Sequence, residues 1–261
     1  EDGIRDVAVT GVQTCALPIL WAVVLFFSGL SFASYVIRRT IGSEQGYAIS
    51  GILGGFISST SVTLTMSRLS QSEAAAHGAL ASGVMGANAM LFLRVLVATS
   101  VLAPSLPAHL VLPFLVPFAV GAGLTLWGMR TKRMGPPHAP HGDNPLNFGA
   151  ALQMAVLFQI VLVAIAIVQS RLGTMGLYGT AALVGSSEVD AMVVAVTRAV
   201  ATGTAPELAA VAITIGVLAN TVTKLVIALV IGRGRFRLWS AAGLALLALA
   251  LGGALVLGTR S

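Results

Sequence analysis

A chain of 261 residues that is 56% hydrophobic and only 9% charged lies far outside the composition of soluble globular domains. Its formal charge of +6 is spread over short loops between apolar runs, so a nucleic-acid surface is excluded and a role in setting membrane orientation is implied. Runs of about 20 apolar residues cross a bilayer, and in hydrocarbon the backbone must satisfy its own hydrogen bonds, so the expected class is an all-α, polytopic transmembrane helix bundle.

The opening stretch, EDGIRDVAVTGVQTCALPI (1–19), begins acidic and lacks the basic start and apolar core of a secretory signal. It resembles the conceptual translation of a sequencing-library adapter, with EDGIRD and VTGVQTCALPI as constant parts around Val7 and Ala8. On that reading residues 1–19 are a non-native tail, Leu20 is the first native residue, and the natural chain extends further upstream. Cys15 then belongs to the tail, so no disulfide or cysteine metal set is expected. Without the tail the balance is 14 basic to 6 acidic residues, a net of +8.

From Leu20 about eight apolar runs follow: 20–37, 47–66, 78–103, 110–128, 148–169, 176–198, 207–232 and 237–258. The longest interruption, RTKRMGPPHAPHGDNP (130–145), has the Pro, Gly and charge content of a solvated linker. The expected organisation is a first membrane repeat at 20–131, a polar linker at 132–147 and a second membrane repeat at 148–261. Sliding the chain on itself by 130 residues places Gly55 on Gly185, Arg68 on Arg198, Gly86 on Gly216 and Arg94 on Lys224. Duplicated halves are a common transporter plan, with the site between them.

Two topologies fit these runs. If all eight cross, the halves are parallel and the loop Lys and Arg divide six against six. If 47–66 and 176–198 are re-entrant, each half crosses three times, the halves are inverted, and the division is nine against three. The positive-inside rule prefers the second arrangement. Both runs are nonetheless long enough to span, and length sets the expectation at eight crossings.

Two segments in equivalent places carry chemistry. In SGILGGFISSTSVTLTMSRLS (50–70), Gly51 and Gly55 allow close helix approach, while Gly54-Gly55 followed by Ser58, Ser59, Thr60, Ser61 and Thr63 can break a helix and line its restart with hydroxyls. The alternative is a continuous packed helix whose hydroxyls bond back to its own carbonyls. In GLYGTAALVGSSEVDAMVVAVTRAV (176–200), Glu188 and Asp190 interrupt a neutral run. Such acids are paired, protonated or water-facing when they lie within a membrane. The other reading has Gly185, Ser186 and Ser187 ending one helix, with the acids in the first turn of the next. The register sets Ser58 opposite Glu188 and Thr60 opposite Asp190, and this oxygen set suits a hard cation or a proton.

Asn88 and Arg94 share one apolar run, and Asn220 and Lys224 another, the latter pair spaced for one helix face. The two cations are either counter-ions for Glu188 and Asp190 or side chains that snorkel to the interface; for Lys224 the distance to its helix end favours snorkelling. Catalysis is not expected, because no histidine lies within an apolar run and only one run carries acids in its interior. No cofactor is expected either.

GGFISSTSVTLTMSRLS (54–70), GALASGVMGANAMLFLRV (78–95), GLYGTAALVGSSEVDAMVVAVTRA (176–199) and LANTVTKLVIAL (218–229) together resemble a bacterial membrane domain of unknown function that follows MgtC/SapB-type modules. In that family the acidic motif reads as two aspartates flanking a valine, so Asp190 matches and Glu188 departs with its charge kept. The resemblance implies a multi-pass bacterial inner-membrane protein, with an upstream MgtC/SapB-type module missing from this fragment.

The functional expectation is a transporter-like domain handling a small cation or proton. Its pocket would be formed by Ser58, Ser59, Thr60, Thr63, Asn88, Arg94, Glu188, Asp190, Asn220 and Lys224. The alternative is a regulatory or scaffolding membrane partner that docks through its glycine faces. The lipid bilayer is a partner in both readings, and nucleic acid in neither.

Overall fold

A computed structural model describes residues 47–131 and 175–258, all of whose regular structure is helical. The tail 1–19, the runs 20–37 and 148–169 and the linker 132–147 lie outside the described residues. In chain order the helices are α1 (Tyr47–Gly55), α2 (Ser59–Leu69), α3 (His77–Leu102), α4 (Pro107–Thr131), α5 (175–187), α6 (Val189–Ala201), α7 (Pro206–Ile231) and α8 (Gly234–Gly258). A short 3-10 turn, Ala74–Ala76, leads into α3.

Four of these, α3, α4, α7 and α8, are long and apolar enough to cross a membrane. Their bounds agree closely with the runs 78–103, 110–128, 207–232 and 237–258. The most apolar window of α3 is 67% buried, against 28% for α4 and α8, so α3 is an inner helix and the other two form the outside. Leu112, Leu115, Leu246 and Leu249 are exposed on those outer helices, an apolar surface suited to hydrocarbon. Four helices of this kind make the chain a membrane protein.

The runs 47–66 and 176–198 do not form single crossings, contrary to the expectation from length. Val62 packs against Gly54, across the break at 56–58, so α2 folds back on α1. Along α3 the contacts of α1 climb from Gly51 against Gly83, through Gly55 against Ala87, to Ile57 beside Arg94. Those of α2 descend from Ser59, which shares Lys224 with Asn88, through Met66 against Gly83, to the Ser70 carbonyl 2.8 Å from His77 Nε2. α1 and α2 are therefore two half-helices of a hairpin that enters beside His77 and turns near Asn88 and Arg94. These lie roughly 17 and 26 Å along α3 at 1.5 Å per residue.

α5 and α6 repeat this on α7. Gly185 packs on Gly216 and the Ser186 carbonyl reaches Asn220, while Met192 returns to Gly216, where the Ala181 carbonyl also lies. Since α5 runs alongside α7, this second hairpin enters beside Pro206. α3 and α7 are themselves antiparallel. Gln71 Nε2 donates to the Ile231 carbonyl at 3.0 Å at one end, and His109 Nε2 lies 3.5 Å from Glu207 Oε1 at the other. The two hairpins consequently enter from opposite ends of the bundle and turn toward its middle. α2 also packs on α7, and α6 on α3, so each returning half-helix meets the central helix of the other half.

Local sequence explains the first break. Gly54 leaves room for Val62, and its carbonyl accepts from Ile57 N at 3.0 Å and Ser58 N at 2.9 Å, tightening the last turn. Ser58 then takes extended backbone and accepts from Ser61 N at 3.2 Å, capping α2. Glu188 occupies the same position before α6, with extended backbone (φ −136°, ψ 92°).

The ends of the bundle differ in charge. Arg68, Arg130, Arg233, Arg235 and Arg237 belong to the end where the first hairpin enters, and Arg198 to the end where the second does.

Candidate functional site

The turns of the two hairpins meet around four polar residues from the inner helices: Asn88 and Arg94 on α3, Asn220 and Lys224 on α7. All four are buried, at 0%, 6%, 1% and 0% exposure, so none reaches the interface by snorkelling.

Arg94 joins the two turns. Its Nη1 donates to the carbonyls of Ile57 at 2.7 Å, Phe56 at 3.1 Å and Gly55 at 3.4 Å, which are left open where α1 ends. Its Nη2 lies 3.0 Å from Asp190 Oδ1 in the first turn of α6. A planar guanidinium can serve two such partners at once, and positive charge is favourable at a helix C-terminus. Arg94 is thus a counter-ion of Asp190.

Lys224 behaves differently. Its ammonium donates to Ser59 Oγ and to Asn88 Oδ1, each at 2.8 Å, and no carboxylate among the described residues lies within ion-pair distance of it. Asn88 Nδ2 is held by the Val84 carbonyl at 2.8 Å, which turns its Oδ1 toward the lysine. Asn220 Nδ2 bridges the two turns more loosely, to Thr60 Oγ1 at 3.5 Å and the Ser186 carbonyl at 3.4 Å. Its Oδ1 is buried without a hydrogen-bond partner among the described residues.

The acids also differ from one another. Asp190 is tied to Arg94, whereas Glu188 sits half-buried at the turn and its side chain does not cap α6. A helix does end at Ser187 and Asp190 does lie in the first turn of the next, as the capping reading expects, while Glu188 occupies the cap position without a side-chain cap bond. Ser58 and Thr63 are engaged in their own helix, Ser58 as the cap and Thr63 through Oγ1 to the Ser59 carbonyl at 2.8 Å. The direct side-chain links are Lys224 with Ser59 and Asn88, Asn220 with Thr60, and Arg94 with Asp190. The Gly55, Phe56, Ile57 and Ser186 carbonyls complete the cluster. They were not singled out in the sequence, although the Gly54-Gly55 break was the signal that a chain end would open there.

The glycine faces are used within the chain, Gly51 and Gly55 against α3 and Gly185 against α7. A separate cavity of about 380 Å³ lies between α3, α4 and α8, lined by Met85, Trp127, Trp239 and Leu246 with Ser82. It holds no charged group and does not adjoin the cluster. The Arg94–Asp190 pair lies where the hairpins meet, whereas the more exposed His109–Glu207 pair lies at an end of the bundle.

Residues 25–232 match the family described as a domain of unknown function, DUF4010, and the chain belongs to that family. No curated protein and no solved structure matches it.

Proposed function

We propose that this DUF4010 member is a transporter-like protein of the bacterial inner membrane that handles a small cation or proton where its two hairpins meet. The reading rests chiefly on the convergence of two broken helices from opposite ends on the buried Arg94 and Lys224 and the half-buried Asp190. Non-helical backbone within a membrane is tolerated where it lines a protein-enclosed site, and secondary transporters place their ion sites at such half-helix ends. Glu188 supplies a carboxylate at the turn that is not consumed in capping.

An inverted duplication belongs to the same reading. The breaks at Ser58 and Glu188 stand 130 positions apart, and each hairpin is followed by an inner and then an outer long helix. The positive-inside rule then assigns the arginine-rich end, where the first hairpin enters, to the cytoplasm. Association with an MgtC/SapB-type module upstream is also part of the proposal.

The test is flux in proteoliposomes carrying the full chain, read with an internal pH dye under imposed sodium or potassium gradients. Native protein is expected to move ions, and Glu188→Gln and Asp190→Asn to lose most of that activity. Equal flux in native and variant protein, or none in the native, would count against the reading. A regulatory or scaffolding role is the alternative. Its support is the association with MgtC-type modules and the glycine-rich faces, of which Gly51, Gly55 and Gly185 pack within the chain while Gly123, Gly179, Gly252 and Gly253 stay uncovered among the described residues.

A further inference from the structure

The tryptophan-lined cavity between α3, α4 and α8 lies at one level of the bundle. It spans Gly78 to Met85 in the first turns of α3, Leu124 to Gly128 near the end of α4, and Leu238 to Leu246 in the first half of α8. Its deepest residue on α8, Leu246, is roughly 18 Å from the start of that helix at 1.5 Å per residue. Half of a hydrocarbon core is roughly 15 Å thick, so the cavity belongs to one leaflet, at the arginine-rich end.

Its lining suits a hydrocarbon chain better than water. A volume of about 380 Å³ is that of a ligand pocket, and the lining is apolar apart from Ser82 and the two indoles. The Ser82 hydroxyl already donates to the Gly78 carbonyl at 2.8 Å, whereas a held water needs roughly two to four polar partners. Gly78, Ala81, Ala242 and Gly243 leave the space, and Leu238 and Leu246 at its rim are exposed among the described residues.

The outer end of the cavity has a different character. Trp127 and Trp239 stack there with ring centroids 5.4 Å apart, and each is about half-exposed. Indoles so placed sit at headgroup level, where one side is apolar and the other wet. Arg235 comes four residues before Trp239 and Arg130 three after Trp127, so each lies about one turn further out on its helix, and both are exposed. On α8 the cavity face runs through Arg235, Trp239, Ala242 and Leu246, and Arg237 belongs to the opposite face. Arg68, Arg130, Arg233, Arg235 and Arg237 share this end with a single acid among the described residues, Glu73.

We infer that this cavity binds an anionic phospholipid, with one acyl chain in the cavity and the phosphate held by Arg130 and Arg235 above the tryptophan pair. A guanidinium meets phosphate through two parallel N–H···O bonds, and basic pockets between membrane helices hold anionic headgroups. A zwitterionic lipid offers the same phosphate but cancels its charge with its own ammonium, so the site selects by net charge.

The test reconstitutes the full chain in phosphatidylcholine vesicles that carry an equal fraction of brominated phosphatidylglycerol or brominated phosphatidylcholine. Bromine on the acyl chain quenches an indole only on contact. Phosphatidylglycerol should be preferred roughly tenfold or more, as two arginines beside an anionic headgroup would give. The preference should persist in Trp21→Phe, which leaves Trp127 and Trp239 as reporters. Arg235→Gln should lower it severalfold and Arg130→Gln/Arg235→Gln bring it near parity. Arg237→Gln removes the same charge from the other face and should leave it close to native. Ala242→Phe, which fills the cavity from an exposed position, should also abolish it. Equal quenching of native protein by the two lipids overturns the inference. So do equal losses in Arg235→Gln and Arg237→Gln, which would mean surface charge alone. Trp127 and Trp239 shielded from both lipids would mean that protein covers the cavity, and would overturn it as well. The first comparison is made on native protein, so it does not depend on the variants folding.

Discussion

Arg94→Met is expected to destabilise the protein by about 3 kcal/mol, the low end of the cost of breaking a buried pair, because the Asp190 left unmatched keeps 23% of its side chain exposed. The substitution keeps the length and apolar stem of the side chain, so lost packing contributes little. It removes the partner of Asp190 and the donors to three carbonyls at the end of α1, loosening both hairpin turns at once. Arg94→Lys should recover only part of the loss, because an ammonium restores the charge without the planar fork that reaches α1 and α6 together. The double variant Arg94→Met/Asp190→Leu should be more stable than Arg94→Met alone, since removing both partners leaves no orphaned charge. Thermal unfolding in detergent checks all three. Native-like stability for Arg94→Met would contradict the geometry of the cluster.

Gly51→Ala and Gly185→Ala are expected to have the second-largest effect. A methyl at Gly51 would fall on the Gly83 backbone, and one at Gly185 would lie 2.6 Å from the Cα of Gly216. In both cases the obstacle is main chain, which cannot rotate aside, so a cost at or above the usual 1–3 kcal/mol of overpacking, roughly, is anticipated. Gly123→Ala is the control. Nothing lies within 4 Å of the position its methyl would take, and alanine favours helix over glycine by about 1 kcal/mol. Size-exclusion profiles after stepwise heating should show the first two variants lost early and the control retained at least as long as native protein.

Much of the architecture was legible in the sequence. Composition gave the class, and the four long helices follow their apolar runs to within a few residues at most ends. The glycine-hydroxyl motif at 54–63 and the acidic interruption at 188–190 lie at the two helix breaks, but the first also allows a continuous helix, and the sequence leaves Arg94 open between counter-ion and snorkelling. The direction of the chain after each break was not legible from length. A run of about 20 residues suffices either for one crossing or for two half-helices, and only tertiary contacts such as Gly54 with Val62 decide between them. The uneven division of Lys and Arg preferred the re-entrant arrangement, which agrees with the breaks in both runs.

The sequence misleads at Lys224 for a related reason. Its distance from the helix end suited snorkelling, but a lysine can snorkel only if its face of the helix leads outward. The face that carries Asn220 and Lys224 is covered by α2 and α3, which brings the ammonium to Ser59 and Asn88. Nor could the sequence show that Thr63 would spend its hydroxyl on the Ser59 carbonyl while Ser59 itself turned to the lysine. Those choices depend on which helix lies opposite.

The central claim is that the hairpins enter from opposite faces of the membrane, and cysteine accessibility tests it most directly. In a Cys15→Ser background, Met175→Cys and Thr202→Cys mark the two ends of the α5–α6 hairpin, and both positions are exposed. Ser72→Cys marks the exposed exit of the α1–α2 hairpin. With an impermeant maleimide applied to intact cells and to inverted vesicles, Met175→Cys and Thr202→Cys should label from the same face, the outer one, and Ser72→Cys from the other. Labelling of Met175→Cys and Thr202→Cys from opposite faces would mean that 176–198 crosses the membrane, and the account would fail.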